Sequence, residues 1–189
     1  MKNISGFIIL ILVCFNGCKT SKPVVVQTPP VVQQAYPDPA PPVVSFSDQS
    51  TWLLGYFNLN QLAQPPHSAW YLKGFDEYQF NAGAVNRLLE INTTDLNIKI
   101  VMGTWCPDSR REVPRFMKIL NACKFPLAKV QFIGVDNVKQ SPVENYEALN
   151  IERVPTFIVY KNNIEAGRII ENPTTSLEQD MVNILTRNE

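Results

Sequence analysis

One cysteine stands between an apolar run and a helical one, and it is the residue of this chain best suited to chemistry. The segment Ile98-Lys-Ile-Val-Met-Gly-Thr-Trp-Cys-Pro-Asp-Ser-Arg-Arg-Glu-Val-Pro114 reads as a strand ending near Gly103, a short Thr104-Trp105 turn, and a helix beginning at Cys106 or Pro107. Pro107 suits the first helical position, where the N–H it lacks would have no partner, and Asp108 sets a negative charge in the first turn. Cys106 then lies at the positive end of a helix dipole, which favours the thiolate, the nucleophilic form. A cysteine can also be no more than a small buried side chain. Trp before it and Pro after it at a strand–helix junction exceed what packing requires, so Cys106 is read as reactive.

A second constellation is Arg153-Val154-Pro155-Thr156, directly before the apolar run Phe157-Ile-Val-Tyr160. Proline is tolerated at the first position of a strand, so this stretch alone points to nothing more. Two further residues bear on Cys106. Arg110, four residues on and on the same helical face, could favour a thiolate, although an exposed arginine near Glu112 is the plainer expectation. Cys123 lies seventeen residues further along the same helical stretch. At 1.5 Å per residue the two thiols would be roughly 25 Å apart, whereas a disulfide needs Cα atoms within about 7 Å. Cys123 is therefore expected to pack near the helix end and remain unpaired with Cys106.

The elements that must position these residues follow from hydrophobic period. Asn81 to Ile91 reads as a helix with Ala84, Leu88, Leu89 and Ile91 on one stripe, and Ile98 to Met102 as a strand. The helix after Cys106 continues through Val113, Phe116, Met117 and Leu120, bent at Pro114. Lys129 to Val135 alternates as a strand, and Val143 to Ile151 reads as a helix. Thr156 to Tyr160 and Glu165 to Ile170 form a hairpin, and Thr175-Ser-Leu-Glu178 is a capping box that opens the last helix. Trp52 to Phe57 is a strand or an adapter, and between it and residue 80 no element can be assigned. The expected class is α/β, a mixed sheet flanked by helices, with Cys106 just beyond a strand's carboxyl end, where such sheets carry their chemistry.

Trp105-Cys106-Pro107-Asp108-Ser109 with Pro114 resembles the active-site helix of the thioredoxin superfamily, Trp-Cys-x-x-Cys with a kinking proline at this offset. Glu112 adds a Cys-x-x-x-x-x-Glu-x-Pro pattern similar to that of extracytoplasmic thiol–disulfide oxidoreductases. The resemblance covers roughly residue 81 to the C-terminus. It implies a thioredoxin-like fold, in which Pro155 is a cis-proline facing Cys106 and Val154 offers backbone hydrogen bonds to a substrate. The chain departs from the pattern at Ser109, which stands where the resolving cysteine belongs. A hydroxyl cannot attack a mixed disulfide as a thiolate does. Ile100 likewise replaces the buried acid often found six residues before the cysteine.

Residues 1–17 carry Lys2 and then an apolar stretch, Phe7 to Phe15. That is too short to span a bilayer, which takes about twenty residues, but it suits a signal peptide. Gly17-Cys18 resembles the cleavage box of bacterial lipoproteins, which implies lipidation of Cys18; a soluble exported protein with Cys18 free is the alternative. Residues 19–45 hold seven of the fifteen prolines and read as an extended tether. From residue 46 the chain is long enough, at about 140 residues, for one domain with a real core, with 46–80 as an extension or adapter.

Seventeen basic residues balance seventeen acidic ones, and no basic stripe appears, which excludes nucleic acid as the expected partner. His67, the only histidine, is expected at the surface, and no cluster suggests a metal. No cofactor is expected. Two functions are compatible with these residues. One is thiol–disulfide exchange by a monothiol reductase or isomerase in the cell envelope, acting through Cys106 on disulfide- or thiol-containing envelope proteins, released by an external thiol and lipid-anchored to the membrane. The other is a non-redox module that keeps the groove to bind envelope proteins.

Overall fold

The computed structural model describes residues 44–187, within the unit Pro42–Glu189; the expected signal peptide, Cys18 and most of the tether lie outside the described residues. Five strands form one mixed sheet. They are β1 (Gly55–Phe57), β2 (Leu96–Met102), β3 (Val130–Gly134), β4 (Thr156–Lys161) and β5 (Ile164–Ile170), in the spatial order β1-β3-β2-β4-β5. β2 and β3 are parallel; every other neighbouring pair is antiparallel. Five helices accompany them: α1 (Leu59–Leu62), α2 (Ser68–Glu77), α3 (Ala82–Glu90), α4 (Pro107–Ala122) and α5 (Leu177–Thr186). None of the described helices is long and apolar enough to cross a membrane.

Strand alternation divides the core in two, because successive side chains point to opposite sheet faces. Leu96, Ile98, Ile100 and Met102 of β2 share one cluster with Phe157 and Val159 of β4 and with the buried faces of α2 to α5. Phe116 of α4 stacks on Phe157 with ring centroids 4.3 Å apart. Full burial of one such ring stabilises the fold by about 1.5–3 kcal/mol. On the other face Val101, Ile133 and Ile158 pack with Cys106, Tyr146 and Val154. Cys106 thus belongs to the smaller core.

The sequence period locates most elements. Asn81 caps α3, its side-chain oxygen accepting from the Ala84 N–H at 3.1 Å. The β4–β5 turn places Asn162 and Asn163 at φ of 54° and 62°, the left-handed region that asparagine tolerates in tight hairpins. The capping box shifts by one residue: Ser176, not Thr175, caps α5 by accepting from the Gln179 N–H. Glu178 turns back instead to accept from the Asn81 N–H and the Tyr78 hydroxyl.

Two stretches depart from expectation. Val143 to Ile151 is not a helix but a single 3-10 turn, Tyr146–Leu149, with Asn145 and Asn150 in left-handed conformations at either end. Residues in that conformation end a helix, while Val143, Tyr146, Leu149 and Ile151 still pack on the smaller core. The unassigned stretch before residue 80 holds α1 and α2, separated by a cis Pro65–Pro66 bond. Gly74 sits in α2 because a Cβ there would lie 2.7 Å from Pro114 Cγ of α4. That glycine lowers helix propensity and lets α2 approach the proline that bends its partner.

Residues before β1 pack closely against the sheet. Gly134 of β3 pairs with Gly55 of β1, and a Cβ at Gly134 would lie 2.0 Å from the Leu53 carbonyl oxygen. Backbone, unlike a side-chain tip, cannot move aside without parting the strands. Gly134→Ala is expected to lower stability by about 3 kcal/mol or more, at the upper end of overpacking effects, seen as a lower urea midpoint than Gly83→Ala at the exposed start of α3.

Candidate functional site around Cys106

β2 delivers the chain to Gly103, a turn closes with the Cys106 N–H bonded to the Gly103 carbonyl at 3.0 Å, and α4 begins at Pro107 with Cys106 as its N-cap. Gly103 has no alternative as glycine: a Cβ there would lie 2.4 Å from the indole nitrogen of Trp105. That indole N–H donates to the Val135 carbonyl at 3.0 Å, while the ring leans on Trp52. Trp105 is thereby fixed beside the cysteine.

Cys106 is 6% exposed, and its Sγ donates to the Val154 carbonyl at 3.3 Å. The Val154–Pro155 peptide bond is cis. Three contacts hold this second loop: the Pro155 carbonyl accepts from the Glu171 N–H at 2.7 Å, Thr156 Oγ1 donates to the Arg153 carbonyl at 2.6 Å, and Arg153 pairs with Glu171 at 2.7 Å. The fold brings Cys106, Trp105, Val154 and Pro155, drawn from two distant stretches of sequence, into one place. The arrangement sets one sulfur at a helix N-terminus, beside the Val154 carbonyl and the Trp105 ring.

The rest of the motif plays supporting parts. Ser109 is fully buried, and its Oγ accepts the Gly103 N–H at 3.3 Å, tying the first turn of α4 to the end of β2. Asp108 pairs with Arg111 at 2.7 Å. Glu112 is buried, with one carboxylate oxygen 2.6 Å from Arg111 Nε and 3.0 Å from Arg115 Nη1. A buried carboxylate left alone would be strongly destabilising, and the two guanidinium groups compensate it. Cys123 is free and half-buried at the C-cap of α4, the far end of the helix from Cys106, and burial pushes its thiol above the usual range.

Two expectations are corrected. Arg110 is not an exposed arginine near Glu112. Its Nη1 donates to the Thr104 and Trp105 carbonyls at 3.3 and 3.4 Å, and its guanidinium lies 4.3 Å over the Phe46 ring. Burial disfavours its cation, and the neighbouring Cys106 acts in the opposite direction. His67 is not at the surface either. It is buried between Phe46 and Trp70, and its Nδ1 has no hydrogen-bond partner. Burial, with the Arg110 charge added, holds its imidazole below the usual histidine value and favours the neutral ring. Prolines at 65 and 66 suggested a surface loop; the aromatic neighbours that bury His67 come together only in the fold.

Three other residues near the site are invisible to motif reading. Thr104 is fully buried and its hydroxyl donates to the Thr51 carbonyl at 3.3 Å while accepting from the Leu53 N–H at 3.2 Å. Trp52 donates its indole N–H to the Phe46 carbonyl at 2.9 Å. Tyr146 shares the core of Cys106, and burial, with Asp136 and Glu147 adding to it, pushes its phenol up to about 12, so it stays neutral at ordinary pH. Among the described residues no group of three or more His, Cys, Asp or Glu side chains is arranged to hold a metal ion.

Thr104→Val keeps the shape of the side chain but strands the Leu53 N–H and the Thr51 carbonyl. A loss of about 1–3 kcal/mol is expected, read as a lower denaturant midpoint, with Thr104→Ser close to the native value.

No protein-family profile matches the sequence, and no curated protein matches it either. Among solved structures, the chain is similar to a protein of unknown function from Pseudomonas aeruginosa, at 12% identity over 65% of this chain and 80% of that one, with a TM-score of 0.45.

Proposed function

We propose that this chain is a thioredoxin-like thiol–disulfide exchange protein of the cell envelope that works through one nucleophilic cysteine, Cys106. The observation that carries this reading is the approach of Cys106 Sγ, at the N-terminus of α4, to the Val154 carbonyl beside the cis Pro155 bond. The Cys106 thiolate attacks one sulfur of a substrate disulfide, forming a new S–S bond as the old one breaks, and the displaced sulfur leaves as a thiolate with the electron pair. Ser109 cannot complete the cycle. An external thiolate therefore attacks the mixed disulfide, takes the substrate sulfur and returns Cys106 to its starting state. The substrate would lie along Trp105, Val154 and Pro155, as the superfamily resemblance implies.

The near-complete burial of Cys106 favours a second reading, a non-redox module that retains the groove to hold envelope proteins, since exchange depends on access to the sulfur. One experiment separates the two. The full chain is incubated with a panel of disulfides and mapped by non-reducing mass spectrometry, with Cys106→Ala as control. Exchange requires adducts on Cys106 that vanish in the variant; an unmodified Cys106 in a chain that still captures envelope proteins leaves only the module.

Attachment is part of the same proposal. A chain cleaved before Cys18 and carrying more than one acyl group would be held stably, because a single chain gives only marginal binding. Cys18→Ser should move the protein from the membrane pellet to the soluble fraction; equal partition of variant and parent would remove the lipoprotein reading.

A further inference from the structure

Next to the Cys106 turn lies an open surface cavity of about 500 Å³, whose wall includes Phe46, Ser47, Gln49, Trp105, Arg110 and Asn137. Its size falls in the range of small-molecule sites, roughly 300–1,000 Å³. Arg110 is the one charged residue in that wall, and among the described residues it forms no ion pair. The acids nearby are turned to other partners: Asp48 accepts from the Ser50 N–H at 2.9 Å, Asp136 from the Val138 and Gln140 N–H groups at 3.0 and 2.8 Å, and Asp108 pairs with Arg111 at 2.7 Å. The guanidinium is also preorganised. Nη1 is pinned to two carbonyls, the guanidinium carbon lies over the Phe46 ring, and the fork that remains suits a carboxylate.

Arg110 lies one helical turn beyond Cys106, about 6 Å along the axis, and Trp105 borders both. Cys106 is not itself in that wall, and Trp105 is the residue that joins the wall to the Cys106 turn. We propose that this cavity is a subsite for the carboxylate of a small anionic thiol or disulfide, with Arg110 as anchor and Trp105 as wall. The inference rests on the exchange reading in one respect, that the single-cysteine cycle calls for an outside thiol. The step is balanced: the small thiolate attacks the mixed disulfide on Cys106, the Cys106–sulfur bond breaks as the thiolate–substrate bond forms, and Cys106 leaves as the thiolate. No electrons are gained or lost overall.

Two measurements on the full chain test it, one of them independent of sulfur chemistry. S-methylglutathione, anionic and unable to exchange, is titrated against the intrinsic fluorescence of the three tryptophans, of which Trp52 and Trp105 line the cavity. Saturable binding is expected, weakened about tenfold or more in Arg110→Met and partly restored in Arg110→Lys, as for loss of a charge-assisted pair. Rates of Cys106 adduct formation are then compared for glutathione disulfide, the neutral bis(2-hydroxyethyl) disulfide and the cationic cystamine. The anionic-to-neutral ratio should fall about tenfold in Arg110→Met, and in Asn137→Asp, which puts a carboxylate in the wall without touching Arg110, the preference should turn towards cystamine. Absence of saturable binding, or binding and rate ratios indifferent to both variants, overturns the subsite. Arg110-dependent binding with no adduct from any disulfide keeps the subsite and removes the exchange reading; adducts with ratios indifferent to Arg110 and Asn137 do the reverse.

Discussion

The hydroxyl of Thr104 is the contact on which the site depends. It is fully buried, it sits two residues before Cys106, and it bridges the Thr51 carbonyl and the Leu53 N–H. An unmade hydrogen bond in such a place costs more than a made one gains, so the chain before β1 is held against the turn before α4. The same approach explains two glycines. Gly134 leaves room for the Leu53 carbonyl and Gly103 for the Trp105 ring. Through this latch Trp52 comes to lean on Trp105 and Phe46 comes to lie over Arg110. The chain before β1 thus furnishes part of the wall around the Cys106 turn.

Electrostatics along α4 separate its two faces. Asp108, Arg111, Glu112 and Arg115 form a chain of ion pairs around one buried carboxylate, and their charges are spent on one another. Arg110 points elsewhere and is stabilised by carbonyl dipoles and a ring face rather than by an acid. Neighbouring arginines on one helix therefore differ in kind: Arg111 holds the helix together, whereas Arg110 presents charge to the turn that carries Cys106. Spacing alone, which put Arg110 near Glu112, could not distinguish them, because side-chain direction depends on where Phe46 packs.

Legibility in the sequence followed the range of the interactions. The Cys106 turn, the caps near 81 and 176, the β4–β5 hairpin and the strands are set by residues a few positions apart, and local period and turn chemistry reveal them. The juxtaposition of Cys106 with Val154 and Pro155 was legible only through a family resemblance, since nothing local ties residue 106 to 154. His67, Phe46, Trp52 and Thr104 gave no signal, because their burial and bonding arise from contacts between stretches far apart in the chain. The missing helix at 143–151 has the opposite cause: an apolar spacing that fits a helix was overridden by two asparagines in left-handed geometry.

Ser109 acts as a structural group in the first turn of α4. Its hydroxyl is sealed from solvent and accepts the Gly103 N–H, a backbone donor at the end of β2. Sulfur is a weaker acceptor and a larger atom, so the oxygen fits a role that a thiol would fill less well. The first turn of α4 is thus fastened to the strand at one point, and among the described residues Cys106 is the one thiol at that end, with Cys123 at the far end of the helix. Under the exchange proposal, this turn contributes one sulfur and the second arrives from outside it. On the proposed subsite reading, the charge of Arg110 acts on the incoming molecule before its sulfur meets Cys106.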